Sequence, residues 1–115
     1  MYQYQIDHVR KVTNGDTLHL IVDLGFYTST EVAVRLLGVE VPEFGTFDRQ
    51  GVDKGAAARN FTIEWFKTQP GPFILHTTRD RRDGFQRWLG TIFDANGADL
   101  NTAISEQGFA KSYDA

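Results

Sequence analysis

The dipeptide Asn14-Gly15 constrains this chain most, because it stands between two stretches with the residue spacing of β-strands. Asn-Gly favours the tight two-residue turn of a β-hairpin, since both residues tolerate positive φ angles. The preceding segment, Tyr4 to Val12, is strand-like. After the turn, apolar residues recur at every second position, at Leu18, Leu20, Val22 and Leu24. We therefore expect a β-hairpin here, with one face buried.

The middle of the chain changes from a strand pattern to a helical one. Glu31 to Leu37 predicts a third strand, and Gly38 and Pro42 then indicate a turn. The segment from Phe44 to Lys54 has no periodicity and is predicted to be a loop. From Gly55 a helix is expected, which the Gln69-Pro70-Gly71-Pro72 cluster ends. Its apolar residues repeat at four-residue spacing, at Ala57, Phe61 and Trp65.

The last third of the chain predicts a second hairpin and a second helix. Phe73 to Thr78 and Trp88 to Phe93 are the expected strands, with a charged turn at Arg79 to Gly84 between them. Asp99 or Asn101 would cap the helix, and Gly108 stands in the usual C-terminal position. Its predicted buried face is formed by Leu100, Ala103 and Ile104. The order βββαββα fits one domain over residues 1–115, α+β but mainly β, forming a five-stranded OB-fold-type barrel with two helices.

Composition limits the classes of protein to which the chain could belong. It has 115 residues and no cysteine, which excludes disulfides and thiolate metal sites. No apolar run approaches a membrane span, and the first residues do not resemble a signal peptide, so we expect a cytoplasmic monomer, with a partner protein left open. The net charge of −3 gives no overall attraction to nucleic acid, although four arginines fall within nine residues, at positions 79, 81, 82 and 87.

Five charged residues form a plausible metal and phosphate site. Arg35 stands in an otherwise apolar strand, and Glu40 and Glu43 follow it around Pro42. A metal ion such as calcium requires hard oxygen ligands, and a phosphorane requires fixed cationic donors. Two guanidiniums and three carboxylates supply both needs, from Arg35, Arg87, Asp16, Glu40 and Glu43.

The chain also resembles the staphylococcal nuclease (thermonuclease) family along nearly its whole length. Each matching segment is only moderately specific, but their order and separations together are specific. They are Val12 to Leu18, Val34 to Glu43, Gly55 to Phe61, Asp83 to Leu89 and Leu100 to Lys111.

The resemblance implies a role for each candidate residue. Asp16 and Glu40 would ligate one calcium ion through their carboxylates, and Val41 through its backbone carbonyl. Other divalent metals are left open by Glu40, which replaces the aspartate of the family pattern. Arg35, Arg87 and Glu43 would be catalytic, the arginines on the phosphate and Glu43 on the attacking water. Phe85 and Tyr113 would contact the nucleotide, Phe85 by stacking on a base.

Structural alternatives remain open for the same residues. Asp16 fits an ordinary turn, and Arg35 could pair with an acid such as Glu43. Glu40 could be a solvent-exposed turn acid, and Arg87 could pair with Asp83. Tyr113 could anchor the last helix.

The expected function is calcium-dependent hydrolysis of single-stranded or frayed DNA or RNA, with little sequence specificity, leaving 3′-phosphates. Five residues depart from the family pattern at or near the site: Asn14, Glu40, Val41, Gly84 and Phe85. Asn14, Glu40 and Gly84, with the acidic net charge, favour the alternative of a weak or inactive nuclease-like OB-fold module that binds nucleic acid or protein.

Overall fold

In the computed structural model the chain forms a closed five-stranded barrel with two helices, an OB-fold-like α+β architecture in the predicted order βββαββα. The structure describes residues 2–82 and 87–109, and for 78–82 the backbone alone. The elements are β1 (Tyr2–Asn14), β2 (Thr17–Gly25), β3 (Thr28–Leu36), α1 (Lys54–Thr68), β4 (Phe73–Arg82), β5 (Trp88–Phe93) and α2 (Leu100–Glu106).

The barrel closes in the strand order β1-β2-β3-β5-β4, with β4 antiparallel to β1. The predicted hairpin is present, but its turn is Gly15-Asp16 and not Asn14-Gly15, because Asn14 still pairs with Thr17 in the ladder. Thr17 then lies opposite Arg35 in β3, and Arg35 lies opposite Leu89 in the parallel strand β5. Three strands therefore bring the start of β2, the end of β3 and the start of β5 to one end of the barrel.

The predicted alternation in β2 holds only for part of the strand. Leu18, Leu20 and Val22 are buried in the core, whereas Leu24 is exposed. The reason is that residues 23–31, around the β2–β3 turn, are all exposed and lie beyond the core. Strand β3 also begins at Thr28, three residues earlier than predicted.

The bounds of helix α1 agree with the sequence to within one residue. Asp53 caps it by accepting hydrogen bonds from the Gly55 and Ala56 N–H groups. The buried residues are Gly55, Ala58, Thr62 and Trp65, and Phe61 packs partly buried against the core. The helix docks on the β1–β2 turn, where the Thr62 hydroxyl donates to the Gly15 carbonyl at 2.8 Å.

Helix α2 is capped by Asp99, whose side chain accepts from the Thr102 N–H at 2.8 Å. The other candidate cap, Asn101, is buried and has a different role. Its amide donates to the Leu37 and Gly90 carbonyls at 2.9 and 3.0 Å and accepts from the Ile92 N–H at 3.3 Å. Asn101 therefore ties α2 to the ends of β3 and β5.

The charged segment at residues 79–84 also differs from the prediction. Strand β4 runs to Arg82, so residues 79–82 belong to a strand and not to a turn. The ladder continues because β5 pairs with β4 as far as Arg82 opposite Trp88, past an irregularity after Thr77. The end of the predicted turn, residues 83–84, lies outside the described part of the chain.

Candidate functional site

Asp16 is the buried carboxylate of the site, with a side chain that is 9% exposed. The side chain of Asn14 accepts a hydrogen bond from the Asp16 N–H at 3.2 Å, and the Asp16 carbonyl accepts from the Leu36 N–H at 2.8 Å. These bonds hold Asp16, the second residue of the hairpin turn, against the end of β3. Its carboxylate position is therefore set by backbone contacts on both sides.

Arg35 reaches Asp16 from the neighbouring strand. Its Nη2 lies 3.5 Å from Asp16 Oδ2 and donates to the Val39 carbonyl at 3.3 Å. The partner of Arg35 is therefore Asp16, whereas the sequence suggested an acid such as Glu43. The core residues of this strand are Val34 and Leu36, so Arg35 lies on the opposite face with its side chain 26% exposed. Part of the Arg35 side chain therefore remains open to solvent.

Arg87 joins the same group from the start of β5. Its Nη1 donates to Thr17 Oγ1 at 3.1 Å, and the Thr17 hydroxyl donates to Asp16 Oδ1 at 3.0 Å. The expected alternative partner, Asp83, lies outside the described residues. Both predicted arginines therefore converge on Asp16, Arg35 directly and Arg87 through Thr17.

Thr17 is the site residue that sequence reasoning did not single out. It is buried, and its hydroxyl links the Arg87 guanidinium to the Asp16 carboxylate. No sequence signal places Thr17 beside Arg87, because the two residues are 70 positions apart. The strand register decides it, since Thr17 lies opposite Arg35 and Arg35 lies opposite Leu89 of β5, two residues after Arg87.

The segment after β3 carries the remaining candidates. Glu40 is half-buried and Glu43 is exposed, and neither side chain has a hydrogen bond or ion pair with any described residue. The Val41 carbonyl likewise accepts no hydrogen bond within residues 2–82 and 87–109. These oxygens are therefore available to a ligand.

The backbone of Glu43 is held closely by helix α1. The Glu43 carbonyl accepts from the Thr46 N–H at 3.2 Å. A Cβ atom at Gly55 would overlap the Glu43 carbonyl and would lie 2.6 Å from the Phe44 nitrogen. Glycine at position 55 therefore allows the helix to support the backbone that carries Glu43.

The candidate oxygens are of the ligand types that calcium prefers. Calcium binds six to eight oxygen ligands, and here carboxylates and an unengaged carbonyl are present, with water required to complete the shell. No group of three or more His, Asp or Glu side chains that could hold a metal occurs in the described residues. The candidate ligands are thus two carboxylates, Asp16 and Glu40, and one carbonyl, Val41. The proposed nucleotide contacts, Phe85 and Tyr113, lie outside the described residues.

Comparison with known proteins adds no family assignment. A scan against protein-family models finds no matching family, and a search of the curated proteins finds no match. Within the described part of the chain, no helix has the length and apolar character needed to cross a membrane. A proposal for function therefore rests on this chain's residues and their geometry.

Proposed function

We propose that this protein is a calcium-dependent nuclease. Its substrates would be single-stranded or frayed DNA or RNA, cut with little sequence specificity to leave 3′-phosphates. The observation that carries the proposal is the convergence of two arginines, from β3 and from the start of β5, on one buried carboxylate. The likeness of the sequence segments to the staphylococcal nuclease family supports it.

The two arginines would bind the scissile phosphate and stabilise the phosphorane. Guanidinium groups bind phosphate oxygens through paired N–H donors, and this attraction grows as negative charge develops in the transition state. Arg35 is partly open to solvent, so a phosphate could compete for its outer N–H groups. Such contacts read the backbone and not the bases, which accounts for low sequence specificity.

Glu43 would accept the proton of the attacking water. Its carboxylate is exposed and has no partner among the described residues, so it is free to meet a solvent molecule. The water oxygen forms a bond to phosphorus while the bond from phosphorus to the 5′ oxygen breaks, and that oxygen takes a proton from solvent. The phosphate stays on the 3′ side.

Asp16, Glu40 and the Val41 carbonyl would hold the calcium ion. When bound, the ion supplies Lewis-acid polarisation of the phosphate. Asp16 is buried and anchored by its backbone, whereas Glu40 is longer by one methylene than the aspartate of the family pattern. A displacement of about 1 Å in such a site can reduce the rate by about a hundredfold. We therefore expect a slow enzyme.

Cleavage of a labelled single-stranded oligonucleotide tests the proposal, in calcium, in magnesium and in chelator. Glu43→Gln removes the base while keeping its shape. Arg10→Ala is the matched control, because Arg10 is a highly exposed arginine that pairs with Glu31 away from the site. We expect calcium-dependent cleavage that Glu43→Gln abolishes and Arg10→Ala leaves unchanged. Intact substrate in every metal would contradict the proposal.

The second candidate is a barrel that binds nucleic acid or protein without cutting. The ion pair between Arg35 and Asp16 favours it, because the pair engages both the phosphate clamp and the metal ligand in a structural contact. Calcium titration separates the two functions. An enzyme of this kind binds calcium with an affinity that Asp16→Asn reduces, whereas a binding module has no need of the ion.

A further inference from the structure

A loop beside Glu43 exposes large apolar side chains. We call residues 44–52 the aromatic loop. Phe44 is 52% exposed, Phe47 64% and Val52 48%. Phe44 follows Glu43 directly in the chain, so the aromatic loop begins beside the residue proposed to activate water. Three exposed apolar side chains within nine residues make the aromatic loop a candidate binding surface.

The aromatic loop is held in shape by its own hydrogen bonds. Asp48 Oδ1 accepts from the Gln50 and Val52 N–H groups, each at 2.9 Å. The Asp53 carboxylate, which caps α1, also accepts from the Gly45 N–H at 2.9 Å. The Lys54 N–H donates to the Thr46 carbonyl at 2.7 Å. The phenylalanines are therefore presented on an ordered backbone, which lowers the entropy cost of binding.

One exposed cation stands in the aromatic loop beside the phenylalanines. The carboxylate of Asp48 accepts hydrogen bonds within the loop, and that of Asp53 accepts from Gly45 and caps α1, so both are engaged by backbone N–H groups. Arg49 is exposed and has no ion pair with any described residue. Aromatic rings interleaved with an available cation are typical of surfaces that bind single strands, because bases stack on the rings while the cation contacts phosphates.

We propose that Phe44 and Phe47 stack on unpaired bases of the strand held at Arg35 and Arg87, and that Arg49 contacts its backbone. This inference rests on the proposed function for the position of the strand. It assigns the preference for single strands to the aromatic loop, since the bases of an intact duplex are stacked on each other and cannot stack on a protein ring. Stacking tolerates any base, so this preference needs no sequence specificity.

Binding to two oligonucleotides tests the proposal directly. One is oligo(dT), and the other has the same length and charge but abasic sites in place of the bases. Every protein carries Glu43→Gln, so that the strand stays intact in calcium. We compare this parent with the two single variants Phe44→Ala and Phe47→Ala and with the double variant. The matched control is Phe26→Ala, because Phe26 is 98% exposed at the β2–β3 turn. Thermal melting checks that each variant is folded.

We expect each loop substitution to weaken oligo(dT) binding roughly tenfold. The abasic strand should bind weakly to every variant alike, and Phe26→Ala should change neither affinity. Equal affinity of the parent for the two oligonucleotides would overturn the inference, as would an unchanged affinity in the double loop variant. In that case the exposed phenylalanines would be assigned to contact with a protein partner.

Cleavage assays on the same loop variants, with Glu43 restored, distinguish a failure of this inference from a failure of the proposed function. A raised KM for single strands with an unchanged kcat supports both. Unchanged KM and kcat in the loop variants would overturn stacking and leave the nuclease standing. Phenylalanine-dependent binding without cleavage by any variant would support stacking and reject the nuclease.

Discussion

Arg87 donates a hydrogen bond to the Thr17 hydroxyl at 3.1 Å, although 70 residues separate them in the sequence. The same hydroxyl donates to Asp16 Oδ1 at 3.0 Å. One small side chain therefore links a proposed phosphate ligand to a proposed metal ligand. Because Thr17 is buried, the arrangement is held by the barrel and not by solvent.

Thr17→Val should reduce activity more than stability. Valine keeps the shape of threonine but has no hydroxyl, so Arg87 and Asp16 lose their shared partner. We expect about 1 kcal/mol of lost stability, as for one hydrogen bond, and roughly a tenfold lower kcat. Chemical denaturation and oligonucleotide cleavage measure the two effects. Thr17→Ser keeps the hydroxyl and should retain most activity; an equal loss in both variants would contradict this role.

Arg35→Ala should reduce kcat by about a hundredfold or more, because it removes a donor to the developing phosphorane charge. Arg35→Lys should also be impaired, since an ammonium group cannot make the paired contact of a guanidinium. Cleavage rates in saturating calcium give the measurement, with Arg10→Ala as the exposed-arginine control. If Arg35→Ala unfolds more easily but cuts at the parent rate, Arg35 is only the ion-pair partner of Asp16.

Glu40→Asp should raise activity. The substitution shortens the side chain by one methylene and restores the length of the family pattern, so kcat could increase by up to about a hundredfold. Glu40→Gln should instead weaken calcium binding, because an amide oxygen carries no net charge. Calorimetric calcium titration and cleavage assays test both changes. A lower rate with Glu40→Asp would show that glutamate is the better ligand in this barrel.

Gly55→Ala should destabilise the protein, although alanine normally stabilises a helix interior by up to about 1 kcal/mol relative to glycine. The added Cβ would overlap the Glu43 carbonyl and force α1 away from that backbone. We expect a cost of about 1–3 kcal/mol, as for overpacking, together with lower activity. Asn60→Ala, at an exposed position of the same helix, is the control and should be near neutral. Increased stability of Gly55→Ala would contradict the close approach.

Asp53 should make the aromatic loop sensitive to acid. The hydrogen bond from the Gly45 N–H, with those from Ala56 and Gly55, outweighs desolvation and holds the pKa of Asp53 below its ordinary value of 3.8. A lowered folded-state pKa means that this stabilisation is present above pH 3.8 and is lost as the pH falls through the folded pKa. Denaturation curves between pH 2 and 6 measure the effect.

Asp53→Asn isolates the contribution of the loop contact. Asparagine can still cap α1 through its side-chain oxygen. The NH2 group that replaces the second oxygen cannot accept a hydrogen bond from the Gly45 N–H. We expect a weaker decline of stability with falling pH than in the parent protein, and a lower affinity for oligo(dT). A pH dependence identical to that of the parent would rule out Asp53 as the titrating group.

Much of the architecture could be predicted because residues within short segments determine it. Asn14-Gly15 marks the first hairpin, and the proline cluster after Gln69 ends α1. The type and order of all seven elements were predicted correctly for this reason. The β2–β3 turn was harder to locate, since its positive φ angles fall on Phe26 and Tyr27, where glycine or asparagine is usual.

The sequence by itself determined which chemical groups are present and which elements carry them, because turn residues and apolar periodicity act over a few neighbouring positions. Only the tertiary structure decided that Thr17 joins the site, that Arg35 pairs with Asp16, and that α1 buries Ala58 and Thr62 beside Trp65. Each of these facts depends on strand register or helix docking between segments far apart in the chain. Such contacts depend on how the whole barrel closes, which no local pattern encodes.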